Sequence, residues 1–281
     1  MNDQNSNVQN QFWSFGHLLI WISFVIWILS FVIPAEAANF AKTTAPSQQA
    51  PLPPPGPALK AGEKLRFDVY WLGMRVGSGT LETDTAVRDG RECFVVTARA
   101  ETNEFLSKIY PVRDEASSWI DPSDGKSLGF SKTLREGRYR AQERIVYDYK
   151  NRLGRYESLL NGSRKEFPIG PFCHDFISVF YWLKGQAVQV GDRLKTSITA
   201  DERSYGVEFR VLERLWLEPR GLAPVDAIEV EPVTQFKGVL ERRGRSWIYF
   251  TADAERRLCF VRFRTPLGPV TGVLKNDKVL G

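Results

Sequence analysis

Histidine is almost absent from this 281-residue chain, with His17 and His174 its two examples. His17 lies inside an apolar stretch, so any histidine-based catalytic set would rest on His174 alone. Cysteine is scarce too. Cys93, Cys173 and Cys259 lack the close spacing of a zinc or redox motif. An oxidising compartment would allow one disulfide and leave one thiol over. Each cysteine is flanked by apolar residues and reads as a small buried hydrophobe. No H-E-x-x-H, G-x-S-x-G or P-loop pattern occurs. Ser123-Asp124-Gly125-Lys126 has the letters of an S-x-x-K motif. That motif needs a helix so that Ser and Lys share a face, and Pro122 and Gly125 make this segment a turn. Gly77-Ser78-Gly79 lacks the rest of a dinucleotide loop and reads as a strand position where two backbones come close. The carboxylate pairs Glu229/Glu231 and Asp114/Glu115 show no sign of converging in a cleft, which glycoside hydrolysis requires. The sequence therefore offers no catalytic residue, metal ligand or cofactor motif.

Long runs of one charge are also missing. Lys and Arg number 38 against 33 Asp and Glu, a net charge of +5, and the two signs are interleaved. The longest basic cluster, Arg242, Arg243 and Arg245, is short, so solvated strand faces explain the charge and no nucleic-acid partner is expected.

What is present begins at the N-terminus. Polar residues 1–11 precede an apolar stretch from Phe12 to Ile33, followed by Pro34-Ala35-Glu36-Ala37-Ala38. Small residues at Ala35 and Ala37 fit a signal-peptide cleavage site, which would start the mature chain at Ala38. The n-region lacks Lys and Arg, and the apolar run is close to the roughly 20 residues that span a bilayer. Residues 1–37 are therefore a signal peptide or an uncleaved anchor that contacts the inner membrane. Either places the rest of the chain in the periplasm or on the periplasmic side of that membrane. Residues 38–61, with Pro51, Pro53, Pro54, Pro55 and Pro57, read as an extended linker, because proline lacks the amide donor of helix and sheet. This reading expects the linker to add nothing to the core.

From Gly62 the apolar period becomes two. Leu65, Phe67, Val69 and Trp71 alternate with Arg66, Asp68 and Tyr70. The same pattern recurs near Phe94, Ile145, Tyr205, Ile228 and Cys259. Leu72-Gly73, Asp89-Gly90, Asp124-Gly125 and Asn161-Gly162 supply turns. Asp175–Lys184 breaks the pattern. Phe176, Val179, Phe180 and Leu183 fall at i, i+3, i+4 and i+7, so a short helix is predicted, capped by Asp175 and ended by Gly185. The expected fold of residues 62–281 is mostly β: one curved antiparallel sheet forming an open barrel or half-barrel with that helix packed on it. A two-sheet sandwich is the alternative.

Several segments, taken in order, resemble a known family. They are Gly62–Gly73 with Val76-Gly77-Ser78-Gly79, Tyr110-Pro111-Val112-Arg113-Asp114, the Asp175–Lys184 helix, Val190-Gly191-Asp192, and Gly268-Pro269-Val270-Thr271-Gly272. This set is similar to the exported bacterial family catalogued as domain of unknown function 3108, over roughly residues 60–280. The resemblance carries no activity and no catalytic residues. A looser likeness, of fold alone, is to the unclosed half-barrels of periplasmic lipoprotein carriers.

The expected function is a non-enzymatic envelope protein that binds a lipid or another amphipathic ligand. Phe176, Val179, Phe180 and Leu183, together with Trp71, are the candidate ligand contacts. The alternatives are an assembly protein that binds another envelope protein through a sheet edge, and an enzyme acting on envelope glycan. The helix is either a lid over a ligand space or part of a solid core.

Overall fold

The computed structural model describes residues 40–44, 51–53, 58–200, 203–219, 223–234, 245–265 and 268–275. The expected leader or anchor at residues 1–37 lies outside these, as do Arg242 and Arg243.

Among the described residues fifteen strands form one antiparallel sheet. They are β1 (Phe40–Thr44), β2 (Lys64–Trp71), β3 (Met74–Arg88), β4 (Arg91–Thr102), β5 (Arg113–Ile120), β6 (Ser127–Glu136), β7 (Tyr139–Asp148), β8 (Leu153–Ser158), β9 (Arg164–Pro168), β10 (Arg193–Ala200), β11 (Arg203–Pro219), β12 (Val225–Thr234), β13 (Ser246–Thr251), β14 (Leu258–Thr265) and β15 (Gly268–Leu274). Among the described residues two helices interrupt them: α1 (Glu104–Ser107) and α2 (Ser178–Lys184). The order across the sheet is β1-β11-β12-β13-β14-β15-β2-β3-β4-β5-β6-β7-β8-β9, with β10 paired to the N-terminal part of β11. The sheet is not closed by strand pairing, which gives the open half-barrel expected from the alternation rather than a sandwich. The single-turn α1, capped by the Asn103 side chain, was not foreseen.

Local chemistry explains the turns. Trp71 pairs with Met74 across Leu72 and Gly73, both left-handed at φ 47° and 88°. Asp89 and Gly90 make the same kind of turn, whose twist matches that of the flanking strands. At Gly77 a Cβ would lie 2.2 Å from the Glu101 carbonyl oxygen, so the close approach of β3 and β4 demands glycine there.

The curvature shows in what α2 touches. Val179 and Leu183 belong to an apolar cluster with Val207, Phe209, Ile228, Val230 and Phe250, from β11–β13. Ile177 and Tyr181 belong to a second cluster with Val96, Ile120, Phe130 and Ile145, from β4–β7. Those two walls are far apart in strand order. One short helix touches both because the sheet curls around it. The helix starts at Ser178, with Phe176 and Ile177 in a turn before it; as expected, Asp175 serves the first amides, its Oδ1 accepting from the Ile177 and Ser178 amides at 2.8 and 2.9 Å. Gly185 does end it, but with φ −81° rather than in the left-handed region.

The linker expectation needs correction. Within residues 38–61, Phe40–Thr44 form a strand paired antiparallel with Leu215–Pro219 of β11. Leu52 is buried in the first cluster, and Leu59 packs on the second. Proline forbids regular ladder bonds, so side chains supply the anchors instead. The Gln189 side chain accepts from the Leu52 amide at 3.0 Å and donates to its carbonyl at 3.4 Å. Arg256 Nη2 donates to the Pro53 carbonyl at 2.9 Å, and Lys60 pairs with Glu255 at 2.5 Å. Residues 51–53 and 58–61 thus act as a strap. Leu52→Ala should cost about 2–4 kcal/mol, read from the urea midpoint. A midpoint shift below about 0.5 kcal/mol would show that the strap adds nothing to the core.

Candidate functional site

The concave side of the half-barrel is the candidate site, and three elements furnish it. The first is the apolar wall of Val207, Phe209, Val211, Ile228, Val230, Ile248 and Phe250, contributed by alternate residues of β11, β12 and β13. A β-bulge between Val211 and Glu213 ends this register, and Leu215 and Leu217 pass to a separate apolar cluster with Tyr249 and Phe260. The second element is α2. The third is the strap, which lays Leu52 on the same wall.

The sequence-predicted contacts divide. Val179 and Leu183 are each 3% exposed and pack directly on the wall. Phe180 is half-buried against the same cluster, and Phe176 is half-buried one turn earlier, before the helix begins. Trp71 does not join them. It lies in its own cluster with Val76 and Val270, because β2 carries it to the turn end of the sheet. Conversely, Ile177 and Tyr181 pack on the opposite wall, with the Tyr181 hydroxyl 3.2 Å from Thr83 Oγ1. A helix packed on two walls has no free polar face, so i, i+3, i+4 periodicity identifies only one of its two buried stripes.

Polar groups hold α2 at both ends. At its start, Asp175 is buried, and its Oδ2 accepts from Ser118 Oγ of β5 at 2.6 Å and Ser127 Oγ of β6 at 2.5 Å. Burial raises the Asp175 carboxyl above its ordinary range, and these hydroxyls and the two helix amides oppose the rise. At its other end, buried Lys184 pairs with Glu63 at 3.1 Å.

His174 and Cys173 sit beside this cap without forming a nucleophile–base pair. The His174 ring is wedged between Phe172 and Trp182, with centroids 4.9 and 5.2 Å away. It is fully buried, and neither ring nitrogen has a hydrogen-bond partner. Burial pushes its pKa down to about 4, so the ring is neutral. The Cys173 thiol, pushed up by burial, has as its sulfur contacts the His174 carbonyl at 3.7 Å and Ser204 Oγ at 3.8 Å. All three cysteines are buried and free. Among the described residues no group of three or more His, Cys, Asp or Glu could hold a metal ion.

Arg256 is the residue that sequence reasoning missed. It lies in the β13–β14 turn at φ 47° and is 2% exposed. Its Nη2 holds the Pro53 carbonyl, while Nε and Nη1 have no partner. Burial lowers its pKa, against the attraction of Asp253. Nothing in the string Asp253-Ala254-Glu255-Arg256-Arg257 marks one of two adjacent arginines as buried; only the returning strap covers it. A separate pocket, lined by Leu217, Val225, Cys259 and Phe260, has no residue of α2 in its lining.

Comparison with known proteins agrees with this architecture. No curated protein matches the chain. Among solved structures it is similar to the β-barrel-like protein of domain of unknown function DUF1849 from Brucella abortus. That match has 9% identity and a TM-score of 0.50, and covers 75% of this chain and 95% of that one. At that identity the likeness is one of fold. The family described as protein of unknown function DUF3108 matches residues 66–275, from β2 to the end of β15. The chain therefore belongs to the DUF3108 family, as the ordered segments from Gly62 to Gly272 led us to expect.

Proposed function

We propose that the protein is an exported, non-enzymatic binding protein that takes an amphipathic ligand with an anionic head on the concave face of its half-barrel. The observation that carries this reading is Arg256, a buried guanidinium with two unpaired donors beside a strap that covers the apolar wall with one leucine. A buried charge without partners is costly. A carboxylate or phosphate would satisfy Nε and Nη1 as a fork, which is the geometry a guanidinium offers. Leu52 stands where the ligand's apolar chain would lie, and displacing the strap uncovers the wall and the Arg256 donors together. The apolar stretch Phe12–Ile33 with Ala35 and Ala37 supports export.

The test compares a fluorescent long-chain fatty acid with the alcohol of the same chain length, each titrated into full-length protein. The acid should bind at least about tenfold more tightly, since a hydrogen bond to a charged group contributes about 1.5–3 kcal/mol. Arg256→Met should erase that preference while leaving alcohol binding in place. If folded wild-type protein binds neither probe and no lipid co-purifies from the native host, the reading is wrong.

A further inference from the structure

The apolar side chains left in solvent are not scattered. In the antiparallel run β2 to β9, alternate connections lie at the same end of the sheet. One end therefore gathers the β2–β3 turn, the β4–β5 connection with α1, the β6–β7 turn and the β8–β9 turn. Five of the eight large apolar residues exposed among the described residues sit on those connections: Met74, Phe105, Ile109, Leu159 and Leu160. Phe105 is 70% exposed, Ile109 61% and Met74 56%. Continuity across the first two connections is direct, since the Asn103 amide donates to the Val76 carbonyl at 2.9 Å and Asn103 Nδ2 donates to the Arg75 carbonyl at 2.6 Å.

Folding does not need these side chains at the surface. Phe105 and Ile109 flank Leu106, which does turn inward against the Trp71 cluster. Large exposed apolar groups gathered at one place mark a contact surface. Their charge environment is one-sided. On the same connections and the two residues that flank them on each side, Arg75, Lys108, Arg113, Arg135, Arg138, Arg140, Arg164 and Lys165 are exposed, against two exposed acids, Glu104 and Glu101, the latter paired with Arg113 across β4 and β5. The apolar groups stand on separate turns along the rim of the curled sheet, and β3 and β8 are five places apart in it, so the tips spread over at most roughly 20–25 Å at the usual strand spacing. A pocket in a protein partner takes a compact knob, whereas a row of apolar tips among cations suits an extended, soft, negatively charged plane.

The geometry points to this end of the half-barrel as a docking edge for the surface of an anionic phospholipid bilayer. Phe105, Ile109 and Met74 enter the interfacial region at one side of the edge, and Leu159 and Leu160 enter at the other. Lys108, Arg113, Arg138 and Arg140 face the headgroups. The inference does not depend on the interior ligand, because none of these side chains lines the concave wall. It does fix an orientation, with the strands standing on the membrane by their turn ends.

The test places an environment-sensitive fluorophore on single introduced cysteines in the full-length protein, where the three native thiols are buried. Phe105→Cys and Leu160→Cys report on the edge. Val87→Cys, at an equally exposed apolar site in the turn at the opposite end, is the control. Mixing with phosphatidylglycerol vesicles should shift emission to the blue at positions 105 and 160 and leave position 87 unchanged. Phosphatidylcholine vesicles should need roughly tenfold more lipid for the same response. Adding Lys108→Glu and Arg138→Glu should weaken the phosphatidylglycerol response by at least about tenfold. Three outcomes overturn the proposal: no shift at 105 and 160, a shift at 87 equal to theirs, or a shift already present without lipid that reverses on dilution. The last would make the edge an interface between copies of the chain.

Discussion

Replacing Asp175 by alanine should destabilise the protein by about 3–5 kcal/mol, the largest loss expected from any single side chain described above. This carboxylate accepts four hydrogen bonds in an environment that is 1% exposed: the Ile177 and Ser178 amides, and the hydroxyls of Ser118 and Ser127. Removing it uncaps α2, which by itself costs about 1 kcal/mol. It also leaves two hydroxyls and two amides buried without their acceptor, and unmade bonds cost more than made ones return. Asp175→Asn keeps an acceptor for the helix amides, and the serine hydroxyls can rotate to accept from its amide, so its loss should be nearer 1–2 kcal/mol. Urea unfolding of both variants measures this, with an unchanged slope showing that the difference lies in stability. An alanine midpoint equal to wild type would mean that Asp175 does not tie the helix to β5 and β6. Since α2 forms the middle of the concave face, the alanine variant should also lose fatty-acid binding in parallel with its fold.

The second large effect is a fall in stability as pH rises from 6 to 9. Asp114 on β5 and Glu136 at the end of β6 are buried carboxyls hydrogen-bonded to each other, and Asp114 Oδ1 also accepts from the Arg135 amide at 2.8 Å. Glu136 Oε1 has no partner. Burial first, then the charge of Asp114, push Glu136 up to about 8, against a smaller pull from Lys132; burial also raises Asp114 and the nearby Tyr110. The ordinary value for Glu136 is 4.5. Because the folded value lies above the unfolded one, the folded state holds the proton more tightly. Its stabilisation is fully present below about 4.5 and is lost as pH rises through about 8; the part lost between pH 6 and 9 is on the order of 3 kcal/mol. His174 acts in the other direction and lower down: its value is depressed from 6.5 to about 4, so it favours the fold above 6.5 and loses that contribution as pH falls toward 4. Glu136→Gln isolates the pair, because its amide can donate to ionised Asp114 at every pH. The variant should match wild type within about 1 kcal/mol at pH 6 and exceed it at pH 9. Parallel stability curves for the two proteins across this range would show that the pair does not share a proton.

The strands were legible because a half-buried sheet writes its two faces into alternate residues, as in Leu65, Phe67, Val69 and Trp71. The turns at Leu72-Gly73 and Asp89-Gly90 were legible because left-handed backbone selects glycine and aspartate. Helix α2 was legible on the side of Val179 and Leu183, with Asp175 as its cap. Its second buried stripe, Ile177 and Tyr181, was not, because a period locates one apolar face and says nothing of a wall that curls round to meet the other. Proline-rich composition correctly excluded regular ladder bonds at Pro51–Pro53, yet it carried no sign that Leu52 enters the core, since Gln189 and Arg256, which hold that segment, lie 137 and 203 residues away in sequence. Trp71 and the helix residues looked like one apolar set by composition, and the sheet sent them to different clusters. The pairing of Asp114 with Glu136 could not be read from residues 22 positions apart, where the neighbour of Asp114 in the chain, Glu115, was the more visible partner. Local sequence determined which segments became strand, turn and helix, because those choices rest on the backbone and on each residue's own side chain. Tertiary structure alone decided which charges were stripped of water, because burial depends on what the rest of the chain brings to the same place.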